Sequence, residues 1–121
     1  MIPYGKQTID EKDKQAVLEI LEENTYLTTG PRINIFEEKV CKYVGCKFGI
    51  AVNSGTAALH CAVYAAGIKK DDEVIIPSIS FVATSNSVLY QGGKPIFCDI
   101  DQDTLNIDIS KIESLISNNT K

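Results

Sequence analysis

Residues 73–100, EVIIPSISFVATSNSVLYQGGKPIFCDI, decide the fold. The run from Glu73 to Ile76 is apolar apart from its first residue and stops at Pro77. A stretch of helix length follows and closes on Gly92-Gly93, and a second apolar run, Pro95 to Ile100, begins at once. Strand, helix and strand in that order, with short joints, read as a crossover unit whose two strands lie parallel. Both runs are apolar without alternation, the pattern of strands covered on both faces.

The same rhythm extends in both directions. Upstream, Phe48 to Val52 reads as a short buried strand running through Asn53-Ser54-Gly55 into TAALHCAVYAAGI, whose alanine and leucine content favours helix. Downstream, DISKIESLI reads as a helix from Ile109 to Ile116. Three β-then-α units in a row predict a largely parallel sheet with flanking helices. Such a sheet averages about five or six strands, so the architecture reads as interrupted after the last helix, with no fourth strand for it to return to.

Two helices precede these units. The segment from Ile9 to about Glu23 places Val17, Leu18 and Leu21 on one face and carries acidic residues near its start. Asn24 to Gly30 breaks the period and reads as a loop. Pro31, suited to a first helical turn, opens a second helix with Ile33, Phe36, Val40 and Val44 at steps of three and four, ending at Gly45.

Composition narrows the function. The 121 residues, 44% hydrophobic and 23% charged, suit one ordinary folded domain. A net charge of −4 and a single arginine, Arg32, argue against binding nucleic acid, which needs clustered cations. No apolar run approaches the roughly 20 residues that cross a bilayer, and the N-terminus lacks a charged-then-apolar leader, so a cytoplasmic location without membrane attachment is expected. The four cysteines, Cys41, Cys46, Cys61 and Cys98, form no C-x-x-C pair and read as buried small hydrophobes. His60 stands alone in a helical run, and no metal site is expected.

Chemistry concentrates where strands give way to helices. At Ser54-Gly55-Thr56-Ala57, small side chains let a ligand reach the backbone, and the free N–H groups and dipole of a helix start favour a phosphate. Ser54 as a plain helix cap with Gly55 in a turn accounts for the same residues. Neither nucleotide-loop pattern, G-x-x-x-x-G-K-[ST] or G-x-G-x-x-G, is present. At the next junction Phe81 either lies flat on a heterocycle or packs at the helix start. Open α/β sheets bind ligands at this carboxyl edge. At the third junction, Cys98-Asp99-Ile100-Asp101, Asp101 reads as the cap of the following turn.

The order NSGTAALHCAVYAAGI, DDEVIIPSISFVATSNSVLYQGGKPIFCDID, NID and a closing TK, with the YLTTGP loop and the FEEKVCKYVG helix, resembles the DegT/DnrJ/EryC1/StrS family across essentially the whole chain. These are pyridoxal-phosphate-dependent aminotransferases acting on nucleotide-linked keto sugars. The resemblance implies an aspartate-aminotransferase-type fold (PLP fold type I), with this chain as the N-terminal part of its large domain. Residues 1–30 would be an N-terminal helix and substrate-side loop, and 31–121 the truncated start of the cofactor-binding large domain.

It further implies pyridoxal 5'-phosphate as cofactor, a homodimer, and transfer of an amino group from an amino acid such as glutamate to C4 of a nucleotide-linked 4-keto-6-deoxy sugar, for surface polysaccharide or glycan synthesis. Ser54, Gly55, Thr56 and Ala57 would hold the phosphate and Phe81 would stack on the ring. Tyr4 and the loop Leu27, Thr28, Thr29, Gly30 would lie near the sugar nucleotide.

The family's lysine that binds the cofactor covalently, and its acidic partner for the pyridine nitrogen, fall beyond the point where this chain stops. Lys69 and Lys70 sit in a charged loop, Lys94 begins a strand away from the site, and Lys121 is last. No catalytic residue is therefore assigned here, and an inactive portion of the enzyme is expected. The rival reading is a non-catalytic binding or regulatory role through the exposed sheet edge.

Overall fold

The computed structural model describes residues 5–23 and 26–121, which divide into two compact units, Met1–Ala51 and Val52–Lys121.

The first unit holds two helices. Helix α1 (Glu11–Glu22) starts at Asp10, whose carboxylate accepts the N–H of Lys12 and Asp13 while the Asp13 carboxylate accepts the N–H of Asp10. This reciprocal box satisfies donors that a helix start otherwise leaves orphaned. Helix α2 (Pro31–Val44) has proline in its first turn and ends where Gly45 takes φ 76°, a left-handed conformation that costs glycine little. Both bounds match the expected helix. A Cβ on Gly30 would stand 2.6 Å from the Tyr26 carbonyl oxygen, so the approach to α2 demands glycine. The apolar stripe Val17, Leu18 and Leu21 of α1 is exposed.

In the second unit, helix α3 (Gly55–Ala65) packs against helix α4 (Ala83–Tyr90), with the His60 and Tyr90 rings 5.1 Å apart. Helix α4 joins strand β1 (Glu73–Pro77) to strand β2 (Lys94–Cys98) and touches both. The two strands are parallel with Ile75 opposite Ile96, as the strand-helix-strand reading requires. A short helix α5 (Ile109–Ile112) and a 3-10 turn (Glu113–Leu115) complete the unit. Val88, Cys98, Ala83, Ile76 and Ile68 form its core. Gly93 sits inside it, since a Cβ there would meet Val88, Ile68 and the Asp72 carbonyl.

Several expectations need correction. Phe48 to Val52 is not a strand, because no main-chain ladder pairs it among the described residues. The sheet therefore has two strands where three were expected. The segment after the last helix reaches the sheet edge without adding a strand, as expected: Thr120 makes an isolated parallel bridge to Glu73, with Glu73 N–H donating to the Asn119 carbonyl and Lys121 N–H to that of Glu73. That helix is also shorter than expected, α-helical only to Ile112 and extended at Ile116, because Ser117 and Thr120 bond each other's backbone and turn the chain back.

Cover on the strands is also uneven. Phe97 of β2 is 58% exposed, so this sheet is not buried on both faces. Of the cysteines, only Cys98 is buried; Cys41 is half-buried, and Cys46 and Cys61 are exposed. No described helix is long and apolar enough to cross a membrane.

Candidate functional site

The start of α3 is built by Ser54, which is extended and turns its hydroxyl back to accept the Ala57 N–H at 3.1 Å. This is the capping role, and it takes one first-turn donor out of use. The N–H groups of Gly55 and Thr56 have no intrahelical acceptor, as at any helix start. A Cβ added to Gly55 would meet nothing within 4 Å, so the first helical position is uncrowded on its side-chain side. A phosphate would meet two main-chain donors, the Thr56 hydroxyl and the positive end of the α3 dipole there.

The second junction runs from Ser78 to Val82. Ser78 N–H continues the ladder to the Cys98 carbonyl at 2.8 Å, so α4 begins only at Ala83. Ser80 and Thr84 hydroxyls bond each other at 2.7 Å. Phe81 is 71% exposed, which excludes core packing as its role in this unit and leaves its ring face available. Helices α3 and α4 pack together, so both junctions belong to one body.

The carboxyl ends of β1 and β2 open on an acidic cleft lined by Ser78, Ile79, Asp99, Asp101, Asp108 and Lys111. The Lys111 ammonium lies 2.9 Å from Asp99 and 3.4 Å from Asp108. Lys111 holds Asp99 below the usual carboxylate range, helped by the Ile100 N–H. The Ser110 hydroxyl does the same for Asp108. In return Asp99, first, and then Asp108 push Lys111 above the ordinary lysine value. Asp101 accepts from Asp103 N–H, Thr104 N–H and the Thr104 hydroxyl, which is the expected turn cap.

Sequence reasoning missed Lys111. The Asp108-x-x-Lys111 spacing signals a pair along one helical turn, but the reach to Asp99 needs the fold. A lysine that bonds a carbonyl cofactor needs a lowered pKa. Lys111 is pushed the other way, and so is Lys94, which Asp71 holds at the amino end of β2.

Tyr4 is outside the described residues. Leu27, Thr28, Thr29 and Gly30 belong to the first unit, where Leu27 to Thr29 form an exposed bend with Thr29 at φ 59° ahead of α2.

Comparison with known proteins bears on this arrangement. The chain is 42% identical over 120 residues to the spore coat polysaccharide biosynthesis protein SpsC of Bacillus subtilis, covering 99% of the chain and 31% of that protein. It is 38% identical to the UDP-4-amino-4-deoxy-L-arabinose–oxoglutarate aminotransferase of Shewanella sediminis, again covering 99% of the chain and 31% of the relative. Among solved structures, E. coli GDP-4-keto-6-deoxy-D-mannose-3-dehydratase with bound hydrated PLP superposes with a TM-score of 0.89 at 30% identity, over 98% of this chain and 32% of that one. The chain thus spans about a third of the length of these relatives. The sequence profile described as the DegT/DnrJ/EryC1/StrS aminotransferase family matches residues 7–121, and the chain belongs to that family.

Proposed function

We propose that this chain is the cofactor-phosphate-binding portion of a pyridoxal-phosphate-dependent aminotransferase that moves an amino group, from glutamate, onto C4 of a nucleotide-linked 4-keto-6-deoxy sugar in surface polysaccharide or glycan synthesis. The observation that carries the reading is the start of α3. There the Gly55 and Thr56 amides, left without intrahelical acceptors, follow a capping serine at an uncrowded glycine, on a chain whose family is one of aminotransferases. The relative named for an oxoglutarate aminotransferase supports glutamate as donor, since oxoglutarate is what glutamate becomes on losing its amino group.

When bound, the cofactor would supply an electron sink that accepts and releases the amino group. The chain's own residues would position it. Gly55 and Thr56 would bind the phosphate through main-chain N–H, and Ser54 and Thr56 through hydroxyls. Ala57 would contribute smallness only, because its N–H is already bonded to Ser54. Phe81, exposed at the neighbouring junction, would cover the flat ring and exclude water from that face. Tyr4 and Leu27–Gly30 would line the sugar-nucleotide side, within an N-terminal segment of residues 1–30 ahead of a large-domain portion of 31–121. In the whole enzyme a homodimer is expected.

Covalent attachment would fall to a lysine outside these 121 residues; within them, Asp71 and Asp99 hold Lys94 and Lys111 in their charged forms. Borohydride reduction of the chain with pyridoxal phosphate, followed by peptide mass spectrometry, tests this. No single lysine should be labelled above the scatter of the rest. Binding followed by fluorescence quenching should weaken at least tenfold in Gly55→Val. Unaltered affinity in that variant would remove the phosphate cradle, and stoichiometric labelling of one lysine would remove the claim of incompleteness.

A further inference from the structure

The end of α2 carries a chemistry that the proposed function does not use. Gly45 N–H donates to the Cys41 carbonyl at 2.8 Å, and Cys46 N–H donates to the same oxygen at 3.1 Å. Two consecutive amides closing on one carbonyl across a left-handed glycine is a Schellman-type ending, which brings the backbones of Cys41 and Cys46 together at the two positions whose side chains commonly pair in this motif. Helices commonly place an apolar pair there. Here the pair is two thiols.

Their surroundings differ. Cys46 is exposed, with its thiol donating to the Phe48 carbonyl at 3.3 Å. Cys41 is half-buried, and its sulfur rests on Gly49, where a Cβ would stand 2.8 Å away. The Cys46 side chain is the main influence holding the Cys41 thiol above its ordinary range, followed by desolvation, with the Glu37 carboxylate adding to it.

We propose that Cys41 and Cys46 are an intrachain redox pair that closes to a disulfide when the protein meets hydrogen peroxide. Cys46, the accessible partner, attacks one peroxide oxygen as its thiolate. The O–O bond breaks, Cys46 becomes a sulfenic acid, and the departing hydroxide takes up the proton that Cys46 gave up, leaving as water. The Cys41 sulfur then attacks the Cys46 sulfur; the S–S bond forms, the S–O bond breaks, and the hydroxyl leaves with the Cys41 proton as a second water. The two thiols lose two electrons and the peroxide gains them, so the balance closes on two waters.

The bond would tie the first residue of the 46–51 segment to the last turns of α2. The far end of that segment is already tied to the same helix, where Ala51 N–H donates to the Glu37 carboxylate at 2.7 Å. Oxidation would therefore fix both ends of the stretch against α2. This inference stands on the first unit alone and does not depend on the proposed function.

The test is peroxide treatment of the fully reduced chain, alkylation in denaturant, tryptic digestion and mass spectrometry. The expected product is the peptide Val40–Lys42 joined to Tyr43–Lys47, about 2 Da lighter than the two reduced peptides together, for the two hydrogens lost. It should vanish on reduction and be absent in both Cys46→Ser and Cys41→Ser. The exposed Cys46→Ser site makes that variant safe for the fold, and its Cys41 should stay alkylatable. Recovery of both peptides separately alkylated, of Cys46 only as sulfinic or sulfonic acid, or of the link only between chains in an isotope-mixed sample would each overturn the proposal.

Discussion

Adding one methyl group at Gly93 should unsettle the second unit, and the structure sets the scale. A Cβ there would lie 2.9 Å from Val88 Cγ1, 3.0 Å from Ile68 Cγ2 and 3.1 Å from the Asp72 carbonyl oxygen. Carbon pairs rest at about 3.5–4.0 Å, so two contacts are too close by roughly half an ångström or more. Neither methyl can swing into water, since Val88 is 1% exposed and Ile68 is 9% exposed. The third neighbour is backbone, and it accepts the Lys94 N–H at 2.7 Å where β2 enters its register with β1. Overpacking of this kind costs about 1–3 kcal/mol, a large share of a margin of roughly 5–15 kcal/mol. Urea unfolding followed by circular dichroism should show Gly93→Ala losing that amount. The matched control is Gly55→Ala, where the added Cβ meets open space and alanine favours helix, so stability should hold or rise by up to about 1 kcal/mol. Gly93→Ala within a few tenths of wild type, or an equal loss at Gly55, would refute the packing argument.

Ser54→Ala removes the acceptor for the Ala57 N–H and should cost about 1 kcal/mol in the same urea assay; an unchanged midpoint would mean the cap stabilises nothing. Asp99 and Asp108 sit below their unfolded values, so the stability they carry is present above the unfolded carboxylate range and lost as pH falls through their folded values. Lys111 sits above its unfolded value, so its share is present below the unfolded lysine value and lost as pH rises through the folded one. In Lys111→Met the loss of urea midpoint between pH 7 and about pH 3 should shrink; a wild-type acid slope in this variant would show that Lys111 does not set it.

Local signals were legible where local physics is sufficient. Pro31 and Gly45 bounded α2 because a fixed φ and a left-handed residue are properties of single positions. The Ser54 cap and the Asp101 turn were readable for the same reason, each being a side chain bonding backbone within three residues. Strand, helix and strand from Glu73 to Cys98 followed from changes of period along the chain. What failed was non-local. Phe48 to Val52 has strand composition, but a strand exists only when another segment offers its backbone. Lys111 reached Asp99 across 12 positions, and Thr120 reached Glu73 across more than 40, and neither spacing has a periodic signature. The cysteines look alike in sequence, and only packing separates buried Cys98 from exposed Cys46.

The sequence by itself determined the parallel strand pair, the helices around it, the serine-capped helix start and the family, because each is written in neighbouring residues or in their order. Tertiary structure alone decided which segments pair, that Phe81 is exposed, that Lys111 is held charged between two aspartates, and that the Cys46 backbone closes on that of Cys41 at the end of α2. The reason is that pairing, burial and ionisation depend on which atoms come near in space, and chain order leaves that open until the fold closes it.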